Sequence, residues 1–150
     1  MESNEKLSTE QLMQLLFQEQ NLTDFFGKVG SSFQMPSFSE YINVLCDKRN
    51  EVVTHVIAKA GLNKSYGHKI INGTRRPSRD AVIQLAFALE TDVSQLQQML
   101  RIARQSELYP RVKRDATVIY CLHNHISMIE LQSILKDMGL PVLGEDKRYE

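Results

Sequence analysis

The sequence is short of several things, and each shortage excludes a class of protein. Its 150 residues carry no net charge, with 18 Lys and Arg against 18 Asp and Glu. Only two cysteines are present, Cys46 and Cys121, and they stand far apart. That spacing excludes a disulfide framework or zinc module and reads as two buried thiols in a reducing cytoplasm. No apolar run approaches the ~20 residues a membrane span needs, and the longest, in 81–89, is broken by Gln84. The opening "MESNEKLSTEQ" is acidic and polar, unlike a signal peptide or a basic targeting segment. No stretch alternates in the β-branched manner of a strand, so the expected class is all-α. No nucleophile, base and orienting residue share a motif, which argues against an enzyme and implies no cofactor. "GKVGSS" lacks the lysine-serine ending of a phosphate loop. The length suits one domain with a small appendage.

One local absence points the other way. Between Glu51 and Asp80 there is no acid, while residues 52–79 hold six bases, Lys59, Lys64, Lys69, Arg75, Arg76 and Arg79, with two histidines. Residues 1–51 hold eight acids and four bases; residues 80–150 hold ten and eight. A polyanion responds to the local field, so a neutral chain with one basic segment remains a candidate for nucleic acid. A merely solvated helix face would intersperse Glu with Lys.

What is present reads as helices. Ser8 and Gln11 have capping-box form ahead of Leu12, Leu15 and Leu16, and Ser37 with Glu40 has it ahead of Tyr41, Ile42, Leu45 and Cys46. Phe25, Phe26 and Val29 mark a short piece before the loop "GSSFQMP". Asn50 stands as the cap of a helix through Val52, Val53, Val56, Ile57 and Ala60, closed by Gly61. Asn63 caps a helix to Asn72, closed by Gly73; Ser78 and Asp92 cap the next two. Shifting the chain by 35 residues lays 79–103 on 114–138 without a gap. Arg79, Asp80 and Ala81 fall on Arg114, Asp115 and Ala116, and the cap Asp92 falls on Ser127. This predicts two related helical hairpins, stacked in tandem and joined by "RQSELYPRVK", where Pro110 breaks the helix. In that joint Tyr109, Pro110, Arg111, Lys113 and Arg114 form a small basic cluster, read as a solvated linker. The triplet Cys121, His123, His125 does not make a metal site, because alternate residues on a helix diverge by about 200°.

A bracing helix (53–60), a glycine turn (61–63) and a reader (64–72) form a helix-turn-helix signal. Ile70, Gly73, Pro77 and Ser78 in "IINGTRRPSRDAVIQLAFAL", followed by "ETDVSQLQQML", resemble the lambda-repressor-like, XRE-type DNA-binding family over roughly 37–103. "SYGHKI", "RRPSRD" and "LYPRVKRDA" are similar to Firmicutes-type members with a C-terminal helical extension. The resemblance implies a five-helix DNA-binding domain at 37–107. It would be flanked by an N-terminal helical arm (1–36), a C-terminal helical hairpin (108–143) and a flexible tail (144–150). It also implies base contacts by Lys64, Ser65, His68 and Lys69, and backbone contacts by Tyr66, Asn72, Thr74, Arg75 and Arg76. Lys can donate to guanine, and loop Arg can grip phosphate. The family places a small residue where this chain has Ile57 and a bulky one where it has Gly67. The two positions are therefore expected to touch with sizes exchanged.

The expected function is a bacterial, cytoplasmic, nucleoid-associated transcriptional regulator that binds double-stranded DNA as a homodimer. A protein partner would meet it through 8–20 or 114–138. The alternative is an interaction adaptor, or antitoxin-like partner protein, on the same scaffold.

Overall fold

In a computed structural model, residues 7–30 and 36–144 are described, and they contain nine α-helices and no strand. Among the described residues no helix is long and apolar enough to cross a membrane. The chain divides into two units, 1–35 and 36–150.

The first unit holds α1 (Thr9–Gln18) and α2 (Leu22–Val29). Ser8 caps α1 with the reciprocal Gln11 bond, as the sequence predicts, and Asn21 caps α2. Lys28 pairs with Glu19. Phe25 and Val29 are buried; in α1 Leu12 and Leu15 are half-buried, and Phe17 is 77% exposed. Residues 31–35 of the expected loop lie outside the described set.

The second unit runs from α3 (Phe38–Lys48) through α4 (Val53–Lys59), α5 (Lys64–Asn72), α6 (Arg79–Ala88), α7 (Val93–Ile102), α8 (Lys113–His123) and α9 (Met128–Asp137). All seven helices contribute to one hydrophobic core. The hairpin α8–α9 supplies Val118, Cys121, Leu122, Leu131 and Leu135 to it, so it is built into the same packed body as α3–α7. Both cysteines are free and buried, and burial pushes their thiol pKa values up. Cys121 points into the core while His123 is exposed and His125 ends α8 at φ +57°, so the three do not converge.

Asn50 departs from expectation. It adopts φ +53° after α3, and Glu51 N–H donates to Cys46 O across the helix end. Asn50 thus closes α3 in a Schellman turn, a left-handed position that Asn tolerates. Val52 begins α4 with no side-chain cap.

The 35-residue repeat is structural and longer than the apolar pattern shows. The limits of α7 and α9 differ by 35 at both ends, and the left-handed residues Glu90 and Arg104 recur as His125 and Gly139. Gln97 clasps the backbone of Leu108, its Nε2 donating to the carbonyl and its Oε1 accepting from the N–H (2.9 and 2.7 Å), and Gln132 does the same to Leu143 (3.0 and 2.7 Å). Arg79 makes a bidentate pair with Asp115 (3.0 and 2.8 Å), and Arg114 makes one with Asp80 (2.9 and 2.9 Å). Each arginine also donates to two carbonyls of its own repeat, Arg79 to Ser106 and Glu107, Arg114 to Pro141 and Val142. Each aspartate accepts a further N–H, from Tyr109 onto Asp115 and from Gly144 onto Asp80.

This exchange fixes how the two related hairpins are stacked. A translation would pair Arg79 with Asp115 and leave Arg114 reaching past the second copy. Contacts in which i meets j and j meets i belong to an isologous, two-fold arrangement. The repeats 79–109 and 114–144 are therefore related by a pseudo-dyad. Arg114 belongs to the clamp and not to a solvated linker. Gly144 is likewise fastened, while 145–150, the rest of the expected tail, lies outside the described residues.

Candidate nucleic-acid interface

Gly61 ends α4 at φ +70°, with Leu62 N–H donating to Ile57 O at 3.2 Å. Two residues later Asn63 caps α5, its side chain accepting from Tyr66 N–H at 3.1 Å. α5 crosses α4 at Gly67. A Cβ built there would lie 2.5 Å from Ile57 Cγ2, well inside contact distance. The size exchange expected at this crossing is therefore present: glycine makes room for isoleucine, both buried.

The end of α5 is also held. Ser39 Oγ and Asn43 Nδ2 of α3 donate to Ile71 O at 2.6 and 2.9 Å. Gly73 takes φ +85° with Ser39 Cβ nearby, so a side chain there would be both strained and crowded. Asn72 Oδ1 accepts from the N–H and hydroxyl of Thr74 at 3.0 and 2.8 Å, which shapes the start of the loop. Ser78 N–H donates to the Tyr66 hydroxyl at 2.9 Å, and Gln105 donates to Pro77 O at 3.0 Å, which anchors its end.

Of the residues expected to meet bases, Lys64, Ser65 and Lys69 are exposed and His68 is half-buried. Of those expected to meet phosphates, Asn72, Thr74 and Arg76 are exposed and Arg75 is half-buried. Tyr66 has a different position. It is 4% exposed, its hydroxyl is taken by Ser78, and its ring lies beneath the Arg75 guanidinium at 5.0 Å. It supports Arg75 from inside and offers almost no surface to a phosphate.

The six cations of the acid-free segment fall into two groups. Lys59 pairs with Glu51 at 3.1 Å, and Arg79 is spent on Asp115. Lys64, Lys69, Arg75 and Arg76 form no ion pair among the described residues. All four of these lie on one helix and the loop that follows it. The sequence pattern puts these four on a helix and the loop after it, but it has no means of separating Arg79 from Arg76, three positions earlier. The partner that claims Arg79 is 36 residues away.

A cleft of about 760 Å³ opens behind the turn, between Leu62, Tyr66, Gln84, Arg114 and Gln132. Its polar lining is occupied in holding the fold: Gln84 donates to Ala60 O, Gln132 clasps Leu143, and Arg114 pairs with Asp80. Comparison with protein-family models, with curated proteins and with solved structures returns no match for this chain.

Proposed function

We propose that this chain is a sequence-specific DNA-binding transcriptional regulator of lambda-repressor-like architecture, reading the major groove with α5. The observation that supports this reading is that Lys64, Lys69, Arg75 and Arg76, on the reader helix and its loop, form no ion pair among the described residues. Unpaired, clustered cations on an otherwise balanced surface raise the local potential where a polyanion would dock.

In this reading α4 braces α5 across the groove, and the first turns of α5 face base edges. Lys64 and Lys69 donate to guanine O6 and N7, while Ser65 and His68 donate or accept. Arg75, Arg76, Asn72 and Thr74 fix the register on phosphates without reading sequence. Tyr66 acts indirectly, by seating Arg75. One reader per chain implies a homodimer on paired half-sites about 34 Å apart. The adaptor reading has support in α1, whose Met13, Leu16 and Phe17 are exposed.

Selection of bound duplexes from a random-sequence pool tests the proposal. The expected result is a recurring motif with two-fold related halves. Lys69→Ala should relax the preference at one position of each half-site at a cost of about 1–3 kcal/mol. Recovery of no motif, together with a protein partner captured through α1, would replace it with the adaptor reading.

A further inference from the structure

The internal duplication shows what the second hairpin lacks. In the first hairpin Val82, Leu85, Leu89, Met99 and Ala103 are at most 4% exposed, because α3 and α4 pack over α6 and α7. Thirty-five residues on, the same face of the second hairpin holds Thr117, Tyr120, Asn124, Ile134 and Met138. There Tyr120 is 63% and Met138 50% exposed. Thr117 Oγ1 lies 3.8 Å from Met138 Sδ, so α8 and α9 meet along this face. Its composition has moved from pure core toward tyrosine, methionine, isoleucine and threonine, a mixture in which tyrosine and methionine are favoured at protein interfaces.

We infer that this α8–α9 face is where a second copy of the chain docks, α8 of each copy lying on α9 of the other. Charge complementarity selects that arrangement. Lys113 opens α8 and Asp137 closes α9, so they lie at one end of the hairpin; His123 and Glu130 lie at the other. Lys113, Asp137 and Glu130 form no ion pair among the described residues. A dyad running along the hairpin sets Lys113 against the partner's Asp137, twice, and keeps Glu130 away from the partner's Asp137. A dyad across the hairpin would instead bring Glu130 toward the partner's Asp137, and like charges in register oppose association.

The area sets the strength. With α8 spanning 11 residues at ~1.5 Å rise and two helices ~10 Å across, the face covers roughly 300 Å² per copy. Roughly 600 Å² in all is about half of the ~1,200 Å² at which stable interfaces begin. The dimer is therefore weak alone, in the size class of transient contacts. The inference stands whether or not α5 reads DNA.

Sedimentation equilibrium of the full chain, from about 5 to about 500 μM, tests it. Wild type should dimerise, and Tyr120→Glu with Met138→Glu should weaken dimerisation by about tenfold or more while leaving helical content unchanged. Lys113→Glu should also weaken it, and adding Asp137→Lys should restore it. Both exchanges suit the helix dipole, so neither harms the fold. A chain that stays monomeric throughout, or a dimer indifferent to the two glutamates, would overturn the inference. So would a dimer dissociated by Phe17→Glu instead, which would assign the contact to α1. Loss with the glutamates but no restoration by the charge exchange would overturn the α8-on-α9 arrangement.

Discussion

Arg75 and Arg76 differ from Arg79 and Arg114 in almost everything but residue type. The second pair is locked: each guanidinium makes a bidentate ion pair with an aspartate of the other repeat and donates to two carbonyls of its own. The first pair stands within four residues of Arg79, and neither member has a carboxylate partner among the described residues. The planar fork of arginine serves either purpose, and geometry decides which. Where the fork is closed by a carboxylate the charge holds the fold together; where it is left open the charge is available to something outside. Net charge, zero over the whole chain, hides this division.

The comparison breaks most visibly in stability. Arg79→Ala leaves Asp115, 5% exposed, without its bidentate partner. Removing one member of a buried pair costs about 3–5 kcal/mol, and urea unfolding should show it. A loss below about 1 kcal/mol would mean the clamp is not structural. Arg114→Ala should cost less, because Asp80 is 19% exposed at its side chain.

Next in size is the crossing of α4 and α5. Gly67→Ala puts a methyl group into Ile57 and should destabilise by about 1–3 kcal/mol, despite alanine's better helix propensity. Combining it with Ile57→Ala should recover part of that loss in a double-mutant cycle. Purely additive losses would show that the contact does not limit the crossing.

Acid sharpens the same division. Burial pushes the Asp115 carboxyl up, but hydrogen bonds from Arg79 and the Tyr109 N–H, with the Arg79 and Arg114 charges, outweigh it and hold the pKa below the usual carboxylate value. A depressed folded-state pKa gives stability that is present above the unfolded value of about 3.9 and lost as pH falls through the folded one. Thermal unfolding should therefore weaken below about pH 4, and Arg79→Ala should flatten that limb. An unchanged acid limb would remove Asp115 from the account.

The smallest effect belongs to the open pair. Arg75→Ala with Arg76→Ala should change stability by no more than about 1 kcal/mol, most of it the lost contact of Arg75 with Tyr66. A larger loss would move these arginines into the structural class.

Much of this was legible in the sequence where the cause is local. Capping boxes at Ser8 and Ser37, the cap at Asn63 and the glycine ends at Gly61 and Gly73 depend on a few adjacent residues, and they appear where the pattern puts them. Asn50 misleads because asparagine serves both as a helix cap and as a left-handed terminator, and only the end of α3 decides between them. The shared Arg-Asp-Ala starts reveal the duplication, but their reciprocal pairing joins residues 34 and 36 positions apart and has no local signature. At the candidate interface the basic segment was visible, whereas the hydrogen bond that ties the Tyr66 hydroxyl to Ser78, the cap of the next helix, joins residues 12 positions apart and has no local signature.

The central claim is that Arg75 and Arg76, in the loop after α5, meet phosphate. Anisotropy titration of a random-sequence duplex at several salt concentrations, with wild type and with Arg75→Ala and Arg76→Ala together, tests it most directly. The account predicts binding that falls steeply with salt, with a log–log slope of about −0.9 per phosphate contacted, and a double variant whose slope is shallower by roughly two such contacts. No salt-dependent binding by the wild type at about 50 mM salt, or a double variant with the same affinity and slope, would contradict it.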